Sequence, residues 1–217
     1  MKILFVDTET SGLPIKDILE KKYNYKKIKY FEKARLVSIA WILYDEYTKE
    51  EIKKNYIIKP ENFIISDESI AVHKITNEIA TTEGISFDVV MKNFIKDIDV
   101  SDIIVAHNID FDKAILKSEF LRRNKKRYIK KIKLKEKCCT MKLGSLLNNL
   151  VKWPTLFDLY KLEYNLDAEN LHNAESDVFY CKECWTSLKN KIDSKISDDK
   201  VDSNISNVEE TTPKNSI

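Results

Sequence analysis

Asp7 and Glu9 stand two residues apart at the end of a short apolar run, residues 3–6, the pattern of a buried central strand. A period of two puts both carboxylates on one face. Side by side they repel unless a cation lies between them, and converging oxygen ligands without Cys or His suit magnesium or manganese. Alone, an Asp-x-Glu also fits a strand running into a solvated turn, here Asp7-Thr8-Glu9-Thr10-Ser11-Gly12. Asp110 and Asp112 follow a second apolar run, residues 103–106, and sit where a helix should begin. Either could equally be a first-turn acid favoured by the helix dipole. His172 and Asp177 are five apart at the start of a third segment, where Asp177 borders an apolar stripe. A carboxylate at the edge of a core needs a partner, and a metal would serve. The three histidines, His73, His107 and His172, all lie near such strand ends or helix starts, where the active sites of open sheets gather.

The elements that must position these groups are legible from periodicity. Strands are expected at 3–6, 36–44, 55–59 (stopped by Pro60) and 103–106, with a short edge strand at 138–140. Helices are expected where Phe87, Val90, Met91, Phe94, Ile95 and Ile98 share a face, over 111–123, and over 174–189. That last helix carries a stripe of Ala174, Val178, Cys181, Trp185 and Leu188. Strands that come first and then alternate with helices predict an α/β fold, a mixed sheet covered by helices. Residues 14–33 read as a long Lys/Tyr-rich insertion, and 190–217 as a polar tail too poor in apolar surface to order. The domain is therefore expected to span 1–189.

In this order, DTETSG, AHNIDFD and HNAESD resemble the motifs of the DEDDh branch of the DnaQ-like 3′–5′ exonucleases, a family that includes the proofreading subunit of bacterial DNA polymerase III and RNase T. The resemblance covers roughly residues 1–189. It implies a ribonuclease-H-like fold, with a five-stranded mixed sheet whose second strand is antiparallel. It implies that Asp7, Glu9, Asp112 and Asp177 bind two divalent ions, Mg2+ or Mn2+, and that His172 is the general base. Asp7 would bridge both ions, Glu9 and Asp177 would complete the site that activates water, and Asp112 would hold the second ion. A two-ion arrangement suits hydrolysis because it serves both the attacking and the leaving oxygen. Thr8, Thr10, Leu13 and Asn108 would contact substrate. So would Glu68 and His73, in ESIAVHKIT, a segment similar to the family's stretch ending in VHGI. Two departures stand out: Ile109 replaces a small residue and is expected to narrow the pocket floor, and Lys74 replaces a glycine suited to a left-handed turn.

Composition sets further bounds. Three glycines in 217 residues exclude the Gly-rich nucleotide loops. No run of 18 apolar residues exists, so no membrane-spanning helix is expected. The start MKILFVDTE does not read as a signal peptide, and free thiols in a cytoplasmic or nuclear, non-secreted setting are expected. Cys181-x-x-Cys184 in a helical stripe lacks the turn of a structural zinc site. The net charge is +2, yet residues 121–137 hold ten basic residues and one acidic. Basic groups interleaved with tyrosines there and in 14–33 suit single-stranded nucleic acid, DNA more than RNA, although a lysine-rich solvated face reads the same way. The function expected is a metal-dependent 3′–5′ exonuclease releasing nucleoside 5′-monophosphates from single-stranded or frayed ends. The alternatives are an RNase T-like exoribonuclease and a catalytically silent nucleic-acid-binding or polymerase-partner module. A polymerase partner, if any, would be a separate chain.

Overall fold

A computed structural model describes residues 1–17, 22–169 and 172–209, the last thirteen of these as backbone alone. Five strands form one sheet in the order β3-β2-β1-β4-β5. They are β1 (Lys2–Thr10), β2 (Leu36–Asp45), β3 (Glu51–Ile57), β4 (Ile103–Ala106) and β5 (Glu136–Cys139). β2 runs antiparallel to β1 and β3, and β4 and β5 run parallel to β1. The expected mixed sheet with an antiparallel second strand is thus what the chain forms.

The described helices are α1 (Asp67–His73), α2 (Asn77–Thr82), α3 (Phe87–Val100), α4 (Ile109–Arg122), α5 (Lys126–Leu134), α6 (Thr140–Leu147), α7 (Leu156–Tyr164) and α8 (Ala174–Glu209). The alternation of β1 divides the core. Leu4 and Val6 face a cluster with Phe94 of α3 and Ile115 of α4. Ile3 and Phe5 face the other side, with Leu159 of α7 and the whole stripe of α8. Trp185 sets its ring edge-to-face on Phe5 at 5.5 Å.

Several elements differ from expectation. β3 starts at Glu51, not 55, because an outer strand with half-exposed Lys and Glu hides its alternation. The basic run is not a bare charged face. It contains α5, which buries Ile129 and Ile132 one turn apart, and Lys131 and Lys125 pair with Asp99 and Asp88. Ile109 is buried in the α3/α4 core. The helix expected over 174–189 runs on, its backbone helical as far as Glu209. No Gly or Pro interrupts residues 174–209, so nothing breaks the helix. Residues 210–217 lie outside the described residues, as do 18–21 of the insertion.

Lys74 does take the left-handed conformation that its position asks of a glycine, with φ 63° at the end of α1. Gly12 is needed for a different reason: a Cβ there would lie 2.5 Å from the Lys33 carbonyl oxygen. Its bareness lets the end of the insertion pass against the end of β1. Ser11 ties that crossing down by donating its hydroxyl to the Lys33 carbonyl and accepting the Arg35 N–H.

Candidate active site

The site arises where β1 outruns β4. β1 pairs with β4 only through Ile3, Leu4 and Phe5, whereas it stays paired with β2 as far as Thr10. The upper half of β1 thus has an open flank. Asp7 and Glu9 lie on that stretch, on the face turned to α8. Oxygens of Asp7, Glu9 and Asp177 lie within 4.8 Å of one another. Asp112 comes in from the other face of the sheet, on the first turn of α4, where its carboxylate accepts the Thr8 hydroxyl at 2.7 Å. The gap left by β4 lets groups from both faces meet.

The electrostatics of this cluster would suit a cation. Burial is the largest influence on all four carboxyls, and it holds each above its ordinary value. Asp7 is well above the carboxylate range, raised further by Asp112, Glu9 and Asp177. Glu9 is pushed to about 8 by burial and by Asp177 and Asp112. Asp112 reaches about 7 even though Thr8 opposes the rise. Asp177 reaches about 7 against a hydrogen bond from the His172 backbone. Asp177 Oδ1 is also buried with no hydrogen-bond partner. Acidic oxygens converging with one left unpartnered form a donor set that fits hard divalent ions. Asp110, the rival to Asp112, is half-exposed and paired with Lys113 and Lys142 (2.7 Å to the latter). It lies outside the cluster.

A groove of about 870 Å³ opens beside Glu9, lined among others by Thr10, Leu13, Phe63, Glu68 and His73. Glu9, Thr10, Leu13, Glu68 and His73, all named from sequence, thus line one groove. His73 is buried; its Nδ1 accepts the Ile75 N–H, which leaves the proton on Nε2. Glu68 is exposed in the first turn of α1. Two expected substrate contacts lie elsewhere. Thr8 is turned into the core beneath Asp112, so it holds that carboxylate rather than lining the groove. Asn108 lines a second hollow. His172 sits exposed just before α8, in a left-handed conformation (φ 62°), its ring edge-on to Phe157 at 5.7 Å. His107 is a clamp: its ring nitrogens meet Thr140 Oγ1 and the Pro154 carbonyl, and burial pushes it down to about 4.

The family model RNase_T, described as Exonuclease, matches residues 4–184. The chain belongs to this exonuclease family. It is by class a 3′–5′ exonuclease, a phosphodiester hydrolase acting on nucleic acid. No curated protein matches it. Among solved structures, Exonuclease X in complex with 5′ overhanging duplex DNA is 18% identical, covering 87% of this chain and 91% of that one, with a TM-score of 0.54. The zinc-bound E. coli Exonuclease I–single-stranded DNA complex is 16% identical (88% of this chain, 40% of that one, TM-score 0.64). A 3′-exonuclease that recognises the histone mRNA stem-loop is 14% identical (88% and 64%, TM-score 0.60). The exonuclease spans well under half of the Exonuclease I chain. These likenesses show the ribonuclease-H-like fold. A specific kinship to the polymerase III proofreading subunit is not among them.

Exonucleases of this family depend on divalent metal, and the acidic cluster is where this one could hold it. Sequence reasoning missed Phe63 in the groove wall and the ion network behind it. Arg35 lies over the Phe63 ring at 4.7 Å and binds buried Glu119 at 2.6 Å. Glu119 also receives Arg123, which reaches Glu61. A charged residue inside a helical stripe was the available signal: Glu119 falls among the buried positions of α4. Among the described residues, no helix is long and apolar enough to cross a membrane.

Proposed function

We propose that this exonuclease removes nucleotides from single-stranded or frayed 3′ ends, with DNA preferred, and releases nucleoside 5′-monophosphates. Asp7, Glu9, Asp112 and Asp177 would hold two Mg2+ or Mn2+ ions. The observation that carries this reading is the convergence of Asp7, Glu9 and Asp177 within 4.8 Å, with one Asp177 oxygen buried and unpartnered, beside an open groove. When bound, the ions would supply Lewis acidity at the scissile phosphate.

The chain's own groups do the rest. The terminal nucleoside enters the groove, where Leu13, Phe63 and Val72 offer apolar surface for the base. His73, its pKa lowered by burial, backs the groove wall with its Nε2 buried. Thr8 holds Asp112 in place from beneath through its hydroxyl. His172 takes the proton of the attacking water on an imidazole nitrogen. Its exposed position at the mouth of α8 leaves the ring free to turn from Phe157 toward the carboxylates, and its backbone N–H already bonds Asp177.

The test uses 3′- and 5′-labelled single-stranded DNA and matched RNA, with magnesium, manganese or chelator. Metal-dependent shortening from the 3′ end, faster on DNA, with 5′-monophosphate product is expected. Asp7→Ala should abolish it. Near-normal hydrolysis by that variant would sink the proposed ligand set, and faster cleavage of RNA would reverse the substrate preference.

A further inference from the structure

A second hollow, about 610 Å³, shares no lining residue with the groove. Glu9 lines the groove, while Asp110 and Lys113, which bracket Asp112 on α4, line this hollow. Its walls bring together Lys16, Lys22 and Tyr23 of the 14–33 insertion, Lys113 of α4, Lys142 of α6, and Trp153 from the α6–α7 connection. Four cations face one carboxylate, Asp110, which Lys113 and Lys142 hold ionised at about 2 against the effect of burial. Tyr23 is fixed edge-on against Phe111 at 5.9 Å with Lys16 over its face, so one wall is rigid. Trp153 stands opposite as a bare indole, 66% exposed, with Lys142 6.0 Å from its ring centre. A large aromatic left in water is costly, and nothing in the fold's core needs this one.

We propose that this hollow is a second subsite of the exonuclease, one that grips the unpaired DNA strand 5′ of the nucleotide being removed. Bases stack on Trp153, and Lys16, Lys22, Lys113 and Lys142 take the phosphates. This rests on the reading that the 3′ end occupies the groove: a strand seated there and passing the carboxylates leaves toward the hollow. Aromatic platforms between lysines are the chemistry of single-strand grips, since every base has a stacking face and every nucleotide a charge. The insertion, α6 and the α6–α7 connection supply most of its cations and both of its aromatic rings, and the start of α4 supplies the rest.

Tryptophan fluorescence tests this directly. Trp41 and Trp185 are buried at 0% and 6% exposure, so Trp153 is the indole within reach of a ligand. Oligo-dT of twelve nucleotides, added to the full chain in chelator, should quench the emission saturably, and Trp153→Phe should remove that quenching. Trp153→Ala should weaken 12-mer binding about tenfold, the worth of one stacked base. It should also lower kcat/KM for the 12-mer relative to a dinucleotide by a similar factor. Asp110→Asn should tighten 12-mer binding at low salt by releasing two lysines. An unquenched Trp153 on a protein that degrades the 12-mer once magnesium is added overturns the subsite and leaves the exonuclease reading intact. Saturable quenching with no cleavage of DNA under any metal does the reverse. Equal losses on 12-mer and dinucleotide in Trp153→Ala also overturn the subsite, because a merely structural residue would not discriminate by length.

Discussion

At the scale of single residues, a period of two put Asp7 and Glu9 on one face, whereas the choice of Asp112 over Asp110 and the set of four came from the resemblance of the motifs. Thr8 was not legible, since its role depends on where a different strand stops. It points away from Asp7 and Glu9, and only the early end of β4 lets Asp112 reach its hydroxyl. Removing a hydroxyl that orients a metal-binding carboxylate costs roughly 10–100-fold in metal affinity or activity. Thr8→Val, nearly equal in shape, is therefore expected to raise the magnesium concentration for half-maximal hydrolysis by about tenfold. A metal titration of the variant checks this, and an unshifted curve would return Thr8 to a packing role. His172 belongs to the same scale. Its loss in His172→Ala should slow hydrolysis by about 10²–10⁴-fold, the usual worth of a general base. Single-turnover rates at saturating metal measure it, and a negligible loss would assign the proton to another group.

At the scale of elements, periodic and buried segments were read well, while marginal ones were not. β1, β2, β4, α3 and the stripe of α8 announce themselves by apolar spacing. α5 hides because two isoleucines carry its burial under nine residues of mostly lysine and arginine. The end of α8 was misplaced because composition measures apolar content, whereas a helix stops only where something stops it. The extension has a use at its first turn. Lys191 bonds Glu163 at 2.8 Å and Asn148 at 3.0 Å, and the Glu163 side chain has no exposed surface. Burial would raise the Glu163 carboxyl, but hydrogen bonds from Lys191, Ser187 and Asn148 win and lower it. Lys191→Met strands that charge and should cost roughly 1–3 kcal/mol in urea denaturation. The double variant with Glu163→Gln should recover part of the loss. Truncation after Lys189 should cost as much as Lys191→Met; a neutral truncation would show that α8 contributes nothing past its stripe.

At the scale of the whole molecule, the site is a local conflict that the rest of the fold holds in place. Four carboxyls are raised by burial, and Asp7, Glu9 and Asp112 also by neighbouring carboxylates, so without a cation the folded protein binds protons more tightly there than the unfolded chain does. For such groups, unfolding releases protons between the unfolded and folded pKa values, and stability falls as pH rises through that window. Asp112 and Asp177 at about 7 and Glu9 at about 8 carry that decline on past pH 6.5, far above the ordinary carboxylate range. Two histidines act in the opposite sense and at lower pH. His73 and His107 are lowered by burial, so their contribution grows with pH up to the ordinary histidine value near 6.5 and is then complete. Between pH 6.5 and 8 the carboxyl cluster is therefore the dominant titration. In chelator, Tm should drop over that interval by roughly 5 °C, about 2 kcal/mol for a chain of this length. Magnesium or manganese at pH 8 should restore it by binding the ionised cluster in the folded state. Asp7→Asn, with one charge fewer, should flatten the decline and blunt the recovery. Scanning calorimetry across these conditions decides it. A Tm that stays level in chelator from pH 6.5 to 8 would mean that the carboxyls do not share one buried site, and the catalytic assignment would fall with it.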